Sequence, residues 1–290
     1  MTTTDVEAIR VSGGVAPGGT RRRRGRGRRQ HALFRLRGEI PLAARIALAV
    51  LGIAAVFAIW WIAATVWATD TVLVPTPPET WTAGVELWRS GDLWNDFVAS
   101  AERVLYGYSI SMAIGIVLGV AIGSFRSAEA FSEAQIGFLR YIPATALTPL
   151  FLLWLGIDEA PKIALIVVGT VFFNILMTAD VVRNVPRDMI SSAYTLGAGR
   201  IRALCRVVLP HSWPGIVDVA RINLAAAWLM LVVAELLAAQ NGLGYRLVRA
   251  QRFRQVDVMF AILIVFAVIG VVSDLGLRWL RNATAKWARP

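Results

Sequence analysis

Five stretches of this 290-residue chain carry no charged side chain: residues 46–69, 104–125, 141–157, 163–179 and 258–273. A bilayer's hydrocarbon core, about 30 Å thick, takes roughly 20 apolar residues in a helix that rises 1.5 Å per residue. The first two stretches meet that length outright. The others reach it when a flanking residue extends its polar head to the interface. The chain is therefore expected to be an all-α, multi-spanning membrane protein. A composition that is 57% hydrophobic, with a mean hydropathy of +0.59, excludes an ordinary soluble domain.

The spacing predicts six spans, at about 42–67, 97–124, 130–155, 161–182, 211–238 and 257–280, within a membrane domain covering 42–282. Residues 80–96 read as a short amphipathic helix at the surface, with Trp81, Trp88 and Trp94 at interfacial depth. The third span carries Pro143 and Pro149, and a long loop occupies 183–210. In the second span Gly107, Ser111, Gly115, Gly119 and Gly123 recur every four residues. Small residues at that spacing line one helix face and let a second backbone approach closely, so the face is read as a packing seam.

The net charge of +11 suggests nucleic acid until it is located. Residues 1–45 hold eleven arginines against Asp5, Glu7 and Glu39, which leaves only +3 for the remainder. A basic segment before a first span orients that end to the cytoplasm and attracts anionic lipid headgroups. Residues 1–41 are therefore read as a disordered Arg-rich cytoplasmic tail rather than an RNA-binding arm. The apolar run after them is too long for a cleaved signal core, so it reads as an anchor. An even number of spans then places both termini, including a short tail at 283–290, on the cytoplasmic side. Arg246, Arg249, Arg252 and Arg254 are the exception, since they fall in the last outer loop.

No catalytic signature is present. A phosphate-cradling loop needs Gly-Lys-Ser/Thr, and the only two lysines lie in Ala160-Pro161-Lys162-Ile163 and Ala285-Lys286-Trp287. His31 and His211 have no ligand-type partner three or four residues away, and Cys205 is the only cysteine. A metal site, a disulfide and an enzyme are all unexpected.

The loop Ser191-Ser192-Ala193-Tyr194-Thr195-Leu196-Gly197-Ala198-Gly199-Arg200, running on to Leu209-Pro210, is the most informative segment. Met189, Ala193 and Leu196, and then Ile201, Leu204 and Val208, keep helical apolar spacing. Two short helices reversed at Gly197-Ala198-Gly199 fit, with Pro210 closing the unit. An apolar-faced helical pair suits a groove on a partner. A surface-lying loop that binds nothing has the same pattern.

This loop resembles the signature of bacterial binding-protein-dependent ABC importer permeases: Glu-Ala-Ala, three residues, Gly, nine residues, Ile, any residue, Leu-Pro. Here Gly197 is followed by nine residues and then Val207-Val208-Leu209-Pro210, while Ser191-Ser192-Ala193 replaces the opening triplet and lacks its acid. Leu73-Val-Pro-Thr-Pro, Arg140-Tyr-Ile-Pro143, Pro149-Leu-Phe-Leu-Leu-Trp-Leu-Gly-Ile157 and Ala234-Glu235-Leu-Leu-Ala-Ala, with Gly242-Leu-Gly244 after it, resemble the branch handling nitrate, sulfonates, taurine and bicarbonate. The resemblance implies a type I importer permease in a bacterial inner membrane. It implies a second permease copy, two ATP-binding subunits and an extracytoplasmic solute-binding protein as partners. ATP and Mg would sit on the ATPase, leaving no cofactor on this chain, and the loop would couple the two. A neutral vitamin precursor is the alternative solute; a stand-alone channel or secondary transporter is the alternative class.

Polar groups inside spans are candidate sites because lipid makes them costly. Glu235 reads either as lining the path or as locking helices through Arg221, Arg246 or a backbone donor. Asn174 and Asn223 read as solute contacts or as interhelical hydrogen bonds. Thr145 and Thr148 flank prolines whose missing donors free carbonyls, giving a path wall or a kink. The outer arginines form a cationic mouth for anions, contact acidic lobes of the binding protein, or sit on lipid phosphates.

Overall fold

The computed structural model of the protein describes residues 41–66 and 73–285. Residues 1–40 and 286–290, which make up most of the two expected tails, lie outside them, and the expected C-terminal tail starting at 283 is shortened by a last helix that runs to Thr284. The described residues form eleven α-helices, one 3-10 turn (Ala144–Leu147), one π-helical turn (Leu204–Val208) and no strand. The chain divides after Val56, and the larger unit runs from Phe57 onward.

Helix α1 (Leu42–Val66) is apolar along its length and mostly exposed. At its end, the Trp60 indole donates to the Pro75 carbonyl at 3.1 Å and stacks on Phe260. Helix α2 (Pro77–Arg89) starts with two prolines, which suit a first turn whose N–H groups have no acceptor. Glu79 closes a capping box by accepting the Thr76 N–H at 2.8 Å, and that bond holds its carboxyl below the usual glutamate pKa.

One boundary differs from the sequence expectation. The amphipathic helix does not continue to residue 96. It ends at Ser90-Gly91, where Gly91 takes φ +79°, and helix α3 (Asp92–Ser124) begins. Trp94 therefore belongs to α3, edge-on against Trp88. Only a residue without Cβ adopts that φ cheaply, and Gly91 is where a continuous helix is interrupted.

The small-residue seam of α3 packs on helix α6 (Glu159–Arg183), the most extensive helix pair in the fold. A Cβ on Gly115 would lie 2.6 Å from the Asn174 Cβ, and one on Gly119 2.6 Å from the Thr178 Cβ. Gly123 faces the Ala179 carbonyl and Val182 in the same way. Any side chain at these positions would force the backbones apart, which is why the four-residue repeat is glycine. Helix α9 (Leu209–Ala238) completes a three-helix core in which Val104 and Tyr108 meet Ile166, Ala227 and Leu231.

The third expected span is not one rod. Helix α4 (Arg126–Leu139) and the segment Ala144–Leu155, which contains α5 (Thr148–Leu155), are bent by 75°. Pro143 sits in the break, lacks a donor and pushes Ile142 out of helical space. Five helices are long and apolar enough to cross a membrane, or six if the bent pair counts as one span.

Pro210 also departs from expectation. It does not close the loop; the chain is helical from Arg200 (α8, Arg200–Ala203) through a π-helical turn at Leu204–Val208 into α9. Within a regular α-helix the proline ring would press on the carbonyl four residues back, and the wider turn sits where that contact falls. Helix α7 (Arg187–Thr195) precedes it, and α10 (Leu243–Arg252) and α11 (Val256–Thr284) follow.

Candidate functional site

The bend at residues 191–200 has a specific local cause. The Ala198 N–H donates to the Ala193 carbonyl at 2.9 Å, and the Gly197 N–H to the Tyr194 carbonyl at 2.9 Å. These are the paired bonds of a Schellman cap, which needs a left-handed residue where Gly197 takes φ +82°. Gly199 then starts the next helix as its N-cap, in extended conformation. The motif's spacing is thus helix, cap, helix.

The cap throws apolar side chains outward. Leu196 is 87% exposed, and Met189, Tyr194 and Ile201 are exposed with it. On the other face Ile190, Leu204, Val208 and Leu209 pack into a cluster with Val120, Val182 and Ile216. One side of the bent pair is therefore anchored to the bundle, and the other offers an uncovered apolar edge. Such patches mark interaction sites. Ser191, Ser192, Arg200 and Pro210 are exposed, and Ala193 and Ala198 half-buried.

Deep in the core, Asn174 donates to Ser111 Oγ at 2.9 Å, and Asn223 donates to the Asn174 side-chain carbonyl at 2.8 Å. Both asparagines are buried, tying α3, α6 and α9 together. Thr148 donates its hydroxyl to the Thr145 carbonyl at 2.7 Å. That carbonyl also accepts the Thr148 N–H, so Thr148 gives it two donors where Pro149 can give none, while Thr145 itself stays exposed.

Glu235 is 1% exposed and fully bonded. One carboxylate oxygen accepts from Ser100 Oγ and from Arg103, both at 2.7 Å; the other accepts the Gly244 N–H at 2.7 Å. The Gly242 N–H reaches Asp96 and the Leu243 N–H reaches Ser100. Three acceptors on α3 and α9 thereby cap the start of α10, whose first donors have no helical partner. A Cβ on Gly242 would strike Glu235 and Arg103, which explains the glycine beside a buried acid. Of the helix-locking partners expected for Glu235, the backbone donor is present as the Gly244 N–H. The cation is Arg103 and not Arg246, while Arg221, about 21 Å away along the same helix and so excluded as an intrahelical partner, pairs with Asp218 and Asp274.

Arg103, 3% exposed, was missed from the sequence. It also grips Glu159 with two nitrogens, at 2.5 and 2.8 Å, and Lys162 reaches the same carboxylate at 2.9 Å. A partial signal existed: a carboxylate in the apolar run 232–239 calls for a cation at its own depth, and Arg103 and Lys162 both border neighbouring spans, but the sequence does not choose between them.

The four outer arginines divide. Arg246 is turned inward onto Asp92 and Asp96. Burial works against its charge, but the hydrogen bonds to those two acids outweigh it and hold its pKa above the usual arginine value. Arg249, Arg252 and Arg254 stay exposed and form no ion pair among the described residues.

This framework has known relatives. A family profile described as the binding-protein-dependent transport system inner membrane component matches residues 111–286. The taurine transport system permease protein of Escherichia coli strain K12 is 32% identical over 259 residues, spanning 87% of this chain and 94% of that protein. A protein of the same strain named as an aliphatic sulfonates transport permease is 35% identical over 232 residues, spanning 80% and 88%. Among solved structures, a bacterial ABC transporter involved in the import of the acidic polysaccharide alginate aligns with a TM-score of 0.58 at 14% identity, over 83% of this chain and 97% of that one. The fold is that of type I importer permeases. With the profile covering more than half of its length, the chain belongs to the family of binding-protein-dependent transport system inner membrane components, as the membrane-spanning permease subunit of an ABC importer.

Proposed function

We propose that this permease works as one of two copies, driven by two ATP-binding subunits that carry the ATP and Mg, and imports a small anion of the sulfonate class. A solute-binding protein delivers that anion to the outer face, and both termini of the permease face the cytoplasm of a bacterial cell. The coupling element is the bent pair around Gly197. The observation that carries this reading is its two-sidedness: a Schellman-capped turn fixed to the bundle on one face, with Leu196 uncovered on the other. An element of that kind transmits motion as a unit, because neither arm can turn without moving the packed residues beneath it. ATP-driven closure of the partner subunits would then bias the permease between two states of its path.

Support for an anionic solute comes from the taurine and sulfonate relatives and from Arg249, Arg252 and Arg254, which lie exposed and form no salt bridge among the described residues, although Arg249 lies close enough to Asp92 to act on its charge. Thr145, exposed at the break of the third span, is the path contact retained from the sequence; Asn174, Asn223 and Glu235 hold the helices that frame it. The Arg-rich end beside α1 supports the orientation. Isothermal calorimetry on the cognate binding protein tests the solute. Taurine or an alkylsulfonate is expected to bind in preference to nitrate, bicarbonate and a neutral pyrimidine. Binding of the neutral compound alone would overturn the anionic assignment and leave the permease assignment standing.

A further inference from the structure

We propose that a cavity beneath the bent pair is a binding site for a tetrahedral oxyanion, a sulfate or phosphate group. The cavity, of about 450 Å³, lies between the end of α3 and the helices that start at Arg126, Arg187 and Arg200. Its size falls in the range of small-ligand sites, about 300–1,000 Å³. Four arginines line it, and the only acid among its walls is Glu129. Arg183 is already held by Glu129 at 2.8 Å and by Asp180 at 3.2 Å. Arg126, Arg187 and Arg200 form no ion pair among the described residues.

Those three arginines share a second property. Each is the first residue of its helix, and none of the three helix starts has a side-chain cap. Ser124, on the same wall, has a buried hydroxyl with no hydrogen-bond partner among the described residues, and Tyr194 lies at the edge. Like-charged guanidinium groups repel unless something lies between them. Arginine forks match oxyanion geometry, so three of them around one cavity are complementary to a group of two or more negative charges.

An anion held there would tie Arg126, at the junction of α3 and α4, to Arg187 and Arg200 on the two arms of the bent pair. It would brace the angle of that pair from beneath, the side away from Leu196. This consequence for transport rests on the coupling reading; the binding itself does not.

The group has two possible sources, a free anion and an anionic lipid headgroup, and the test separates them. The assembled importer is placed in phosphatidylcholine nanodiscs, and its thermal unfolding is followed in sodium sulfate and in sodium chloride of equal ionic strength. In the second arm, without sulfate, phosphatidylglycerol replaces part of the phosphatidylcholine. The Arg126→Gln/Arg187→Gln variant is run in both arms, which removes the general salting effect of sulfate on folded proteins. The single variant Arg187→Gln, altered only at an exposed side chain, serves if the double variant is poorly expressed. At least one arm is expected to raise the Tm of the unmodified complex, with the increment cut by half or more in the variants. A response to sulfate identifies a free anion, and a response to phosphatidylglycerol identifies a headgroup. If neither arm shifts the Tm, or the variants keep the full shift, the site does not exist.

Discussion

Truncating Glu235 to alanine is expected to cost the folded bundle roughly 3–5 kcal/mol, the usual penalty for removing one partner of a buried ion pair. The arithmetic of charge explains why. Arg103 and Lys162 are balanced by Glu235 and Glu159, and both cations are almost wholly buried. Without Glu235, one buried positive charge has no counter-charge, and the N–H of Gly244 loses its acceptor. Glu235→Gln keeps one acceptor oxygen, for Ser100 or for Gly244 but not for both, and loses the charge, so its cost should be smaller than that of alanine but not zero. Replacing Arg103 and Glu235 together with apolar residues of similar size should recover part of the loss. Thermal or denaturant unfolding of the solubilised complex reads these differences. Transport lost with stability intact would instead return Glu235 to the wall of the solute path.

The second large effect concerns Gly197. A β-branched residue at φ +82° costs of order 1–3 kcal/mol of backbone strain, which corresponds to a roughly 5- to 150-fold shift in the population of the bent conformation. Nothing lies within 4 Å of a Cβ placed on Gly197, so the penalty is conformational and not steric. Gly197→Val is therefore expected to leave the bundle folded and basal ATP hydrolysis present. Solute uptake per ATP, measured in proteoliposomes, should fall by a factor in that range. Gly197→Asn tests the cause, since asparagine tolerates the left-handed region and should retain much of the uptake.

What the sequence disclosed follows physical range. The seam of Gly107, Ser111, Gly115, Gly119 and Gly123 is a periodic property of one helix, and its role is visible without knowing that α6 is the partner. The cap at Gly197 is likewise local, set by bonds that span at most five residues. Arg103 and Glu235 lie 132 positions apart, and nothing local links them. Only the register of α3 against α9 brings them together, and that register is decided by the packing of Val104, Tyr108, Ala227 and Leu231. Pro210 misled for the opposite reason: its local meaning as a helix breaker was overridden by the π-helical turn before it. The division among the outer arginines was hidden too, because Arg246 finds Asp92 and Asp96 only when α10 is capped onto α3.

The exposed edge of the bent pair is expected to be covered by an ATP-hydrolysing subunit. The most direct measurement uses Leu196→Cys in a Cys205→Ser background, since Cys205 is the chain's only cysteine and is exposed. A short thiol cross-linker is applied to membranes containing the whole importer. The permease is expected to be captured with the ATP-binding subunit from position 196, and not from Leu229→Cys, an exposed residue within α9. Capture from position 229 but never from 196, or a product at 196 made only of two permeases, would contradict it.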